Sequence, residues 1–177
     1  MVLAIILFWC VGVYNRVMRL RARGFDTFGA LEKQLRHFSE IVADRFPVGE
    51  NERSYGEGSE INATDSDWVQ LVAQLQALDR TLKLARVAPL DRAGLSEVSV
   101  ASAGLTAAWI SLKSAPADLA GPAIPEEFER QWDENAQRVR SATAEFNQTI
   151  GRYNEAISQF PARLVCGLFG FKPTSFL

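Results

Sequence analysis

An apolar stripe with seven-residue spacing near the C-terminus constrains this fold most strongly. The stripe consists of Trp132, Val139, Phe146, Tyr153 and Phe160, with Ile150 and Ile157 between them. Seven-residue spacing keeps side chains on one side of a helix that packs against a second helix at about +20°. Pro125 followed by Glu126 and Glu127 is typical of a helix start, because proline fits the first turn and acids favour the positive helix end. The pattern predicts a helix over residues 125–160, about 50 Å long.

Three shorter stripes of the same kind precede it. They are Phe28, Leu35 and Val42; Trp68, Leu75 and Leu82; and Val98, Leu105 and Leu112. Glycine and proline separate the stripes at residues 47–58, 89–94 and 116–125. Helical periodicity between such breaks predicts an all-α chain. We expect an antiparallel four-helix bundle with coiled-coil-like packing and long first and last helices, preceded by an N-terminal membrane anchor.

The predicted anchor comprises residues 1–15. Residues 2–14 are almost wholly apolar, and the first charged side chain is Arg16. As a helix this run covers only about 20 Å, against a hydrocarbon core of about 30 Å. A cleaved signal peptide is disfavoured, because no basic residue precedes the run and no small-residue cleavage site follows it. Four explanations stay open for the short length: local thinning of the bilayer, Trp9 and Tyr14 as interfacial residues, a start codon placed too far downstream, or a helix buried in a soluble core.

Four arginines follow the apolar run before the first acid, Asp26. They are Arg16, Arg19, Arg21 and Arg23. Basic residues beside a membrane helix favour the cytoplasmic side, so we expect the N-terminus outside and the bundle, residues 16–177, in the cytoplasm. The same cluster is also a candidate site for anionic lipid headgroups.

Composition argues against several other classes of function. A formal charge of −2 and a pI near 5.5 give no overall reason to bind nucleic acid. Two distant cysteines and a single histidine, His37, fall short of a disulfide framework or a metal site, so no cofactor or metal is expected. We found no catalytic motif and expect that the chain is not an enzyme.

The C-terminal tail, residues 161–177, is unusually apolar. Its candidate packing or docking residues are Phe160, Pro161, Leu164, Val165, Leu168, Phe169, Gly170 and Phe171. A surface segment seldom carries so much apolar area, so we expect it to fold back onto the bundle with Phe169 and Phe171 inserted, or to dock a partner. Thr174 is expected to be exposed. Asn147 and Asn154 lie seven residues apart, beside the apolar stripe, and are expected to reach a neighbouring helix.

Several segments resemble the LemA family of membrane-anchored helical proteins. They are residues 14–21, reading YNRVMRLR; residues 28–36 through Phe28, Leu31, Glu32, Gln34, Leu35 and Arg36; Val139, Ala142 and Phe146-Asn147; and the tail from Tyr153-Asn154 through Phe160-Pro161 and Leu168–Phe171 to Phe176. Residues 39–47 and 49–58 depart from the family pattern. The resemblance implies an anchored helical bundle in the bacterial inner membrane, crossing once with its N-terminus outward. It implies no established reaction.

The leading hypothesis is therefore a membrane-anchored helical scaffold or adaptor. Its expected partners are membrane lipids and an unidentified membrane or cytoplasmic protein, with a homo-oligomer as an alternative. A membrane-shaping or anionic-lipid-binding element is the second hypothesis. An enzyme with unrecognised residues is the third.

Overall fold

A computed structural model describes residues 2–45, 63–115, 124–160 and 162–177. These residues form five helices: α1 (Val2–Arg45), α2 (Ala63–Ala85), α3 (Arg92–Ser114), α4 (Glu126–Ser158) and α5 (Ala162–Leu168). No strand occurs in these four ranges, which confirms the predicted all-α class. The predicted breaks at 47–58 and within 116–123, and Pro161, lie outside the described residues.

The two longest helices, α1 and α4, pack antiparallel along most of their length. Phe28 meets Phe146 edge-on at 6.0 Å between ring centroids, and Phe38 meets Trp132 at 4.4 Å. Near Trp132, the buried Asn135 amide donates to the Gln34 carbonyl at 3.1 Å. α1 has 44 residues and is therefore about 66 Å long. It runs without interruption from the predicted anchor into the packed body.

A shorter antiparallel pair is formed by α2 and α3. The turn between them contains Pro89, and Asp91 caps α3 by accepting from the backbone N–H groups of Ala93 and Gly94, each at 3.1 Å. At the opposite end of the pair, the Ser111 hydroxyl donates to Asp67 at 3.0 Å. The cap satisfies N–H groups that the first turn of a helix leaves unpaired, and so fixes where α3 begins.

Aromatic side chains join the two pairs at the end of the molecule away from the chain's N-terminus. Trp109 of α3 stacks on Trp132 of α4 at 4.4 Å with the rings 16° apart. Phe128 packs edge-on against Trp68 of α2 at 5.4 Å. Large rings bridge a gap that smaller side chains could not fill, and such pairs add to the free energy of burial. On the side facing α2, Arg36 of α1 lies 3.5 Å from the Asp79 carboxylate.

The last long helix ends before residue 160, where the sequence predicted its end. α4 ends at Ser158, and the Phe160 side chain, the predicted fifth member of the stripe, is exposed. The chain bends here and starts the short helix α5. Pro161 offers no backbone N–H and disfavours a helical conformation in the residue before it, so a continuous helix through Phe160 is unfavourable.

Candidate functional site

The four predicted arginines are all exposed on α1, just after the apolar segment. At 100° per residue, Arg16, Arg19 and Arg23 share one face of the helix, whereas Arg21 lies on another and stacks over the Phe25 ring at 5.5 Å. No described carboxylate lies within 4 Å of these guanidinium groups. The shared face forms a basic stripe that rises about 10 Å along α1.

Helix α5 packs beside this part of α1. Its Cys166 is buried in a small core cluster with Val17 of α1 and Tyr153 and Ile157 of α4. Burial raises the pKa of the Cys166 thiol, so it stays protonated and behaves as a small apolar side chain. The cluster fixes α5 at the level of the first basic residues of α1.

The end of α5 is a Schellman motif. The N–H of Phe171 donates to the Cys166 carbonyl at 3.0 Å, and the N–H of Gly170 donates to the Gly167 carbonyl at 3.4 Å. Gly170 has φ 71°, a left-handed conformation that costs a residue with a Cβ. This motif turns the chain out of α5 and into the extended tail.

Four of the predicted tail residues face solvent instead of the bundle. Phe160, Leu164, Leu168 and Phe169 are all exposed, with Leu168 at 84%. The prediction that Phe169 inserts into the body is wrong: its ring is 57% exposed and touches Tyr14 at 5.1 Å between centroids. Phe171 is partly buried, as expected. The side chain of Val165 lies outside the described residues. We call the exposed set of Phe160, Leu164, Leu168 and Phe169 the α5 stripe.

The part of the tail that does fold back is its last stretch, and two asparagines hold it. Asn154 donates to the Thr174 carbonyl at 2.9 Å and accepts from the Thr174 N–H at 3.0 Å. Asn147 makes the same two bonds to Leu177, at 2.7 and 2.9 Å. Tyr153 donates its hydroxyl to the Lys172 carbonyl at 3.1 Å, and burial raises the pKa of Tyr153, which keeps that proton in place. We call Asn147 and Asn154 the asparagine clasp.

The spacing of the clasp explains why an extended tail fits it. Seven helical residues from Asn147 to Asn154 rise about 10.5 Å, and three extended residues from Thr174 to Leu177 span about 10 Å. Each carboxamide therefore meets one residue of the tail in register. The prediction that these asparagines reach a neighbouring helix is wrong in its target, because they bind the tail. Their seven-residue spacing was the sequence signal for the clasp, whereas nothing in the sequence singled out Thr174 or Leu177 as the residues they hold.

The expectation that Thr174 is exposed is also wrong. Its side chain is 7% exposed, and its hydroxyl donates to the Leu90 carbonyl in the turn between α2 and α3. Leu90 in turn packs against α1 at Gly24, where an added Cβ would lie 3.2 Å from the Leu90 methyl carbon. The tail thus ties the turn of the shorter helix pair to the longer pair.

Among the described residues, α3 is the helix that is long and apolar enough to cross a bilayer, by length and composition alone. About a third of its apolar window, 33%, is buried inside the protein, where the helix packs on α2. This is weak support for membrane association, and it falls in mid-chain. An anchor at residues 1–15 stays a prediction.

A half-open cavity of about 510 Å³ lies between α3 and α4. Its wall includes Trp109, Trp132 and Leu105, and its rim carries Asp133 and Arg140. The volume is that of a small-ligand pocket. Hydroxyl side chains also line it, but none of them donates to a carboxylate within the described part of the chain. The cavity therefore shows no nucleophile activated by a neighbouring acid or base among these residues.

The described residues contain no group of three or more His, Cys, Asp and Glu side chains that could hold a metal ion. His37 lies on the helix surface, and its Nδ1 is 2.5 Å from the Glu40 carboxylate. Asn135 is the one described side chain with a buried and unpaired polar atom, its Oδ1. Its amide group faces the Gln34 carbonyl, and that bond fixes the carboxamide orientation.

Comparison with known proteins agrees with the resemblance carried by the tail. The model of the LemA family matches residues 98–177, which comprise most of α3, all of α4 and α5, and the clasped tail. No curated protein and no solved structure matches the chain. The match covers the elements that form the clasp and the α5 stripe, so this part of the chain is similar to the LemA family.

Proposed function

We propose that this protein is a membrane-anchored helical scaffold. In this proposal the four long helices form an antiparallel bundle, and the first turns of α1 hold it at the membrane. The observation that carries the proposal is the set of exposed apolar side chains at residues 8–11 of α1. Among the described side chains of α1, Val13 is the first to pack with either buried core cluster, whereas Phe8, Trp9 and Val11 before it are exposed. Apolar side chains on a projecting helix favour insertion into lipid.

The orientation follows from the arginines. Arg16 and Arg19 come within two turns of the apolar segment, where basic residues favour retention in the cytoplasm. We therefore place the bundle on the cytoplasmic side of a bacterial inner membrane, with a single crossing and the N-terminus outside. A chain held in this way can recruit cytoplasmic or membrane partners to the bilayer.

The outer face of α3 is the surface best suited to such a partner. No charged residue occurs between Glu97 and Lys113, and Val100 and Ile110 are exposed. Depletion of charge is typical of the buried centre of protein interfaces. A core helix with an uncharged outer face also explains why α3 is apolar enough to resemble a membrane span.

Site-specific photocrosslinking in native membranes tests the scaffold role. A photoreactive amino acid replaces Val100 or Ile110 in the full chain, and Gln137 on the polar face of α4 serves as the matched control. We expect one reproducible adduct from the α3 positions and none from Gln137. A protein that stays monomeric and without adduct at all three positions contradicts a scaffold.

A membrane-shaping or anionic-lipid-binding role is the second candidate, because of the basic stripe. Reversing Arg16, Arg19 and Arg23 to Glu should weaken binding to vesicles of phosphatidylglycerol while leaving the helical content unchanged. Each arginine contributes about 1 kcal/mol near an anionic surface. The control reverses Arg138 and Arg140 on α4, far from the anchor. Binding that does not respond to salt or to the reversal argues against this role.

A further inference from the structure

The apolar surface at the start of α1 does not stand alone. The α5 stripe, Phe160, Leu164, Leu168 and Phe169, lies beside it and is also exposed. Leu164 and Leu168 are four residues apart and share one face of α5, whereas Ala162 and Cys166 on the opposite face are buried. A seven-residue helix thus has one side against the protein and an apolar side without a partner among the described residues.

The position of α5 along α1 determines what this side faces. Cys166 packs in a cluster with Val17, and Val13 adjoins the same cluster. Phe169 contacts Tyr14 at 5.1 Å between ring centroids. The stripe therefore lies within one to two helical turns of the exposed Val11 and Trp9. The two apolar surfaces adjoin at one end of the molecule.

Basic side chains surround that end. Residues 8–26 and 150–177 contain seven basic and two acidic side chains, although the whole chain has a formal charge of −2. Arg163 and Lys172 belong to this set and are exposed: Arg163 directly precedes Leu164, and Lys172 comes three residues after Phe169. An apolar helix face flanked by cations is what binds at the interface of an anionic bilayer, where cations reach the headgroups and apolar side chains reach the acyl chains.

We propose that α5 is a second membrane contact, lying in the interface of an anionic bilayer with its stripe in the acyl region beside α1. This inference rests on the proposed membrane anchoring of α1. It also bears on the short apolar segment. Immersing α5 brings α1 into the membrane as far as Val17, so that residues 2–17 supply about 24 Å of helix instead of about 20 Å for residues 2–14. Arg16 then extends its side chain toward the headgroups.

Depth-dependent quenching tests this contact on the full chain in vesicles of phosphatidylethanolamine and phosphatidylglycerol. Single cysteines at Leu164, Phe8 or Val100, in a Cys10→Ala and Cys166→Ala background, carry an environment-sensitive fluorophore. Leu164 reports α5, Phe8 reports the anchor, and Val100 is the exposed apolar control on α3. Lipids with a spin label at a shallow acyl position act as the quencher.

We expect blue-shifted and quenched emission at Leu164 and Phe8, and water-like emission at Val100. Quenching at Phe8 without quenching at Leu164 overturns the α5 contact and leaves the anchor in place. Water-like emission at both Leu164 and Phe8 overturns the α5 contact and the anchor together. Quenching at Val100 equal to that at Leu164 also overturns the α5 contact, because the membrane would then contact exposed apolar residues of α3 as readily as those of α5. The Leu164 measurement is repeated in a background that retains the buried Cys166. This control ensures that a loss of α5 packing caused by Cys166→Ala is not mistaken for a loss of membrane contact.

Discussion

Asn147 and Asn154 bind the tail as a neighbouring strand would, because a carboxamide carries the donor and acceptor of a peptide group. The backbone of Thr174 and Leu177 gains four hydrogen bonds from two side chains. An extended segment without a sheet would otherwise leave those groups to water or unpaired. The clasp therefore permits a strand-like tail in an all-helical protein.

Replacement of Asn154 by Ala tests the clasp. It leaves the Thr174 N–H and carbonyl without their partners, and we expect a loss of about 1–3 kcal/mol in the free energy of unfolding. Urea denaturation followed by circular dichroism measures the loss. Gln148→Ala, at an exposed position of the same helix, is the control and should change stability by less than about 0.5 kcal/mol. Equal effects of the two substitutions would mean that the hydrogen bonds to the tail contribute nothing.

The two phenylalanines Phe146 and Phe169 give a second test at this scale. Phe146 is 0% exposed and packs on Phe28, so Phe146→Ala should cost about 3–5 kcal/mol. Phe169→Ala should cost less than about 1 kcal/mol in detergent solution, because over half of the ring is already exposed. A comparable loss from Phe169→Ala in thermal or urea unfolding would contradict the position of the ring.

At the scale of elements, the end of α5 contains two glycines at which replacement by alanine should change stability in opposite directions. Gly170 has positive φ, so Gly170→Ala should destabilise by about 1 kcal/mol. Gly167 is helical with nothing within 4 Å of an added Cβ, so Gly167→Ala should stabilise by up to about 1 kcal/mol. Unfolding free energies of the two variants should therefore move in opposite directions. The same sign for both would contradict this end of α5.

Periodicity predicted the four long helices well, because their buried faces repeat every seven residues. It failed past Ser158, where Phe160 keeps the spacing but Pro161 prevents the helix from continuing. The apolar tail was correctly expected to contact the body, yet of the two residues expected to insert only Phe171 is partly buried, whereas Phe169 is exposed. Hydrophobicity does not show which apolar side chains pack when a membrane is an alternative environment. The held residues, Thr174 and Leu177, are bound through backbone groups, which no side-chain pattern reveals.

The whole molecule is polarised along its long axis. Apolar and basic side chains gather at the end that contains α5 and the start of α1. At the other end, the first turn of α4 carries Glu126, Glu127 and Glu129, and Lys113 pairs with Glu129 at 2.5 Å. This polarity was only partly predictable, because α5 and the tail bring basic residues from the far end of the sequence to the part of α1 that carries its arginines: Cys166 packs with Val17, and Lys172 shares a surface groove with Arg21. It supports a chain that stands on a membrane with its acidic end away from the lipid.

The most direct measurement of the central claim is the topology of the full chain in cells. Thr174 is unsuitable for a cysteine probe because it is buried, so the probe belongs at Ser99 on the exposed face of α3, with Cys10 and Cys166 replaced by Ala. Cells are treated with a membrane-impermeant maleimide before or after permeabilisation, and the membranes are then washed at alkaline pH. We predict that the protein stays in the washed membranes and that Ser99→Cys reacts only after permeabilisation. Release by the wash would contradict the anchor, and reaction in intact cells would place the helices outside and contradict the orientation.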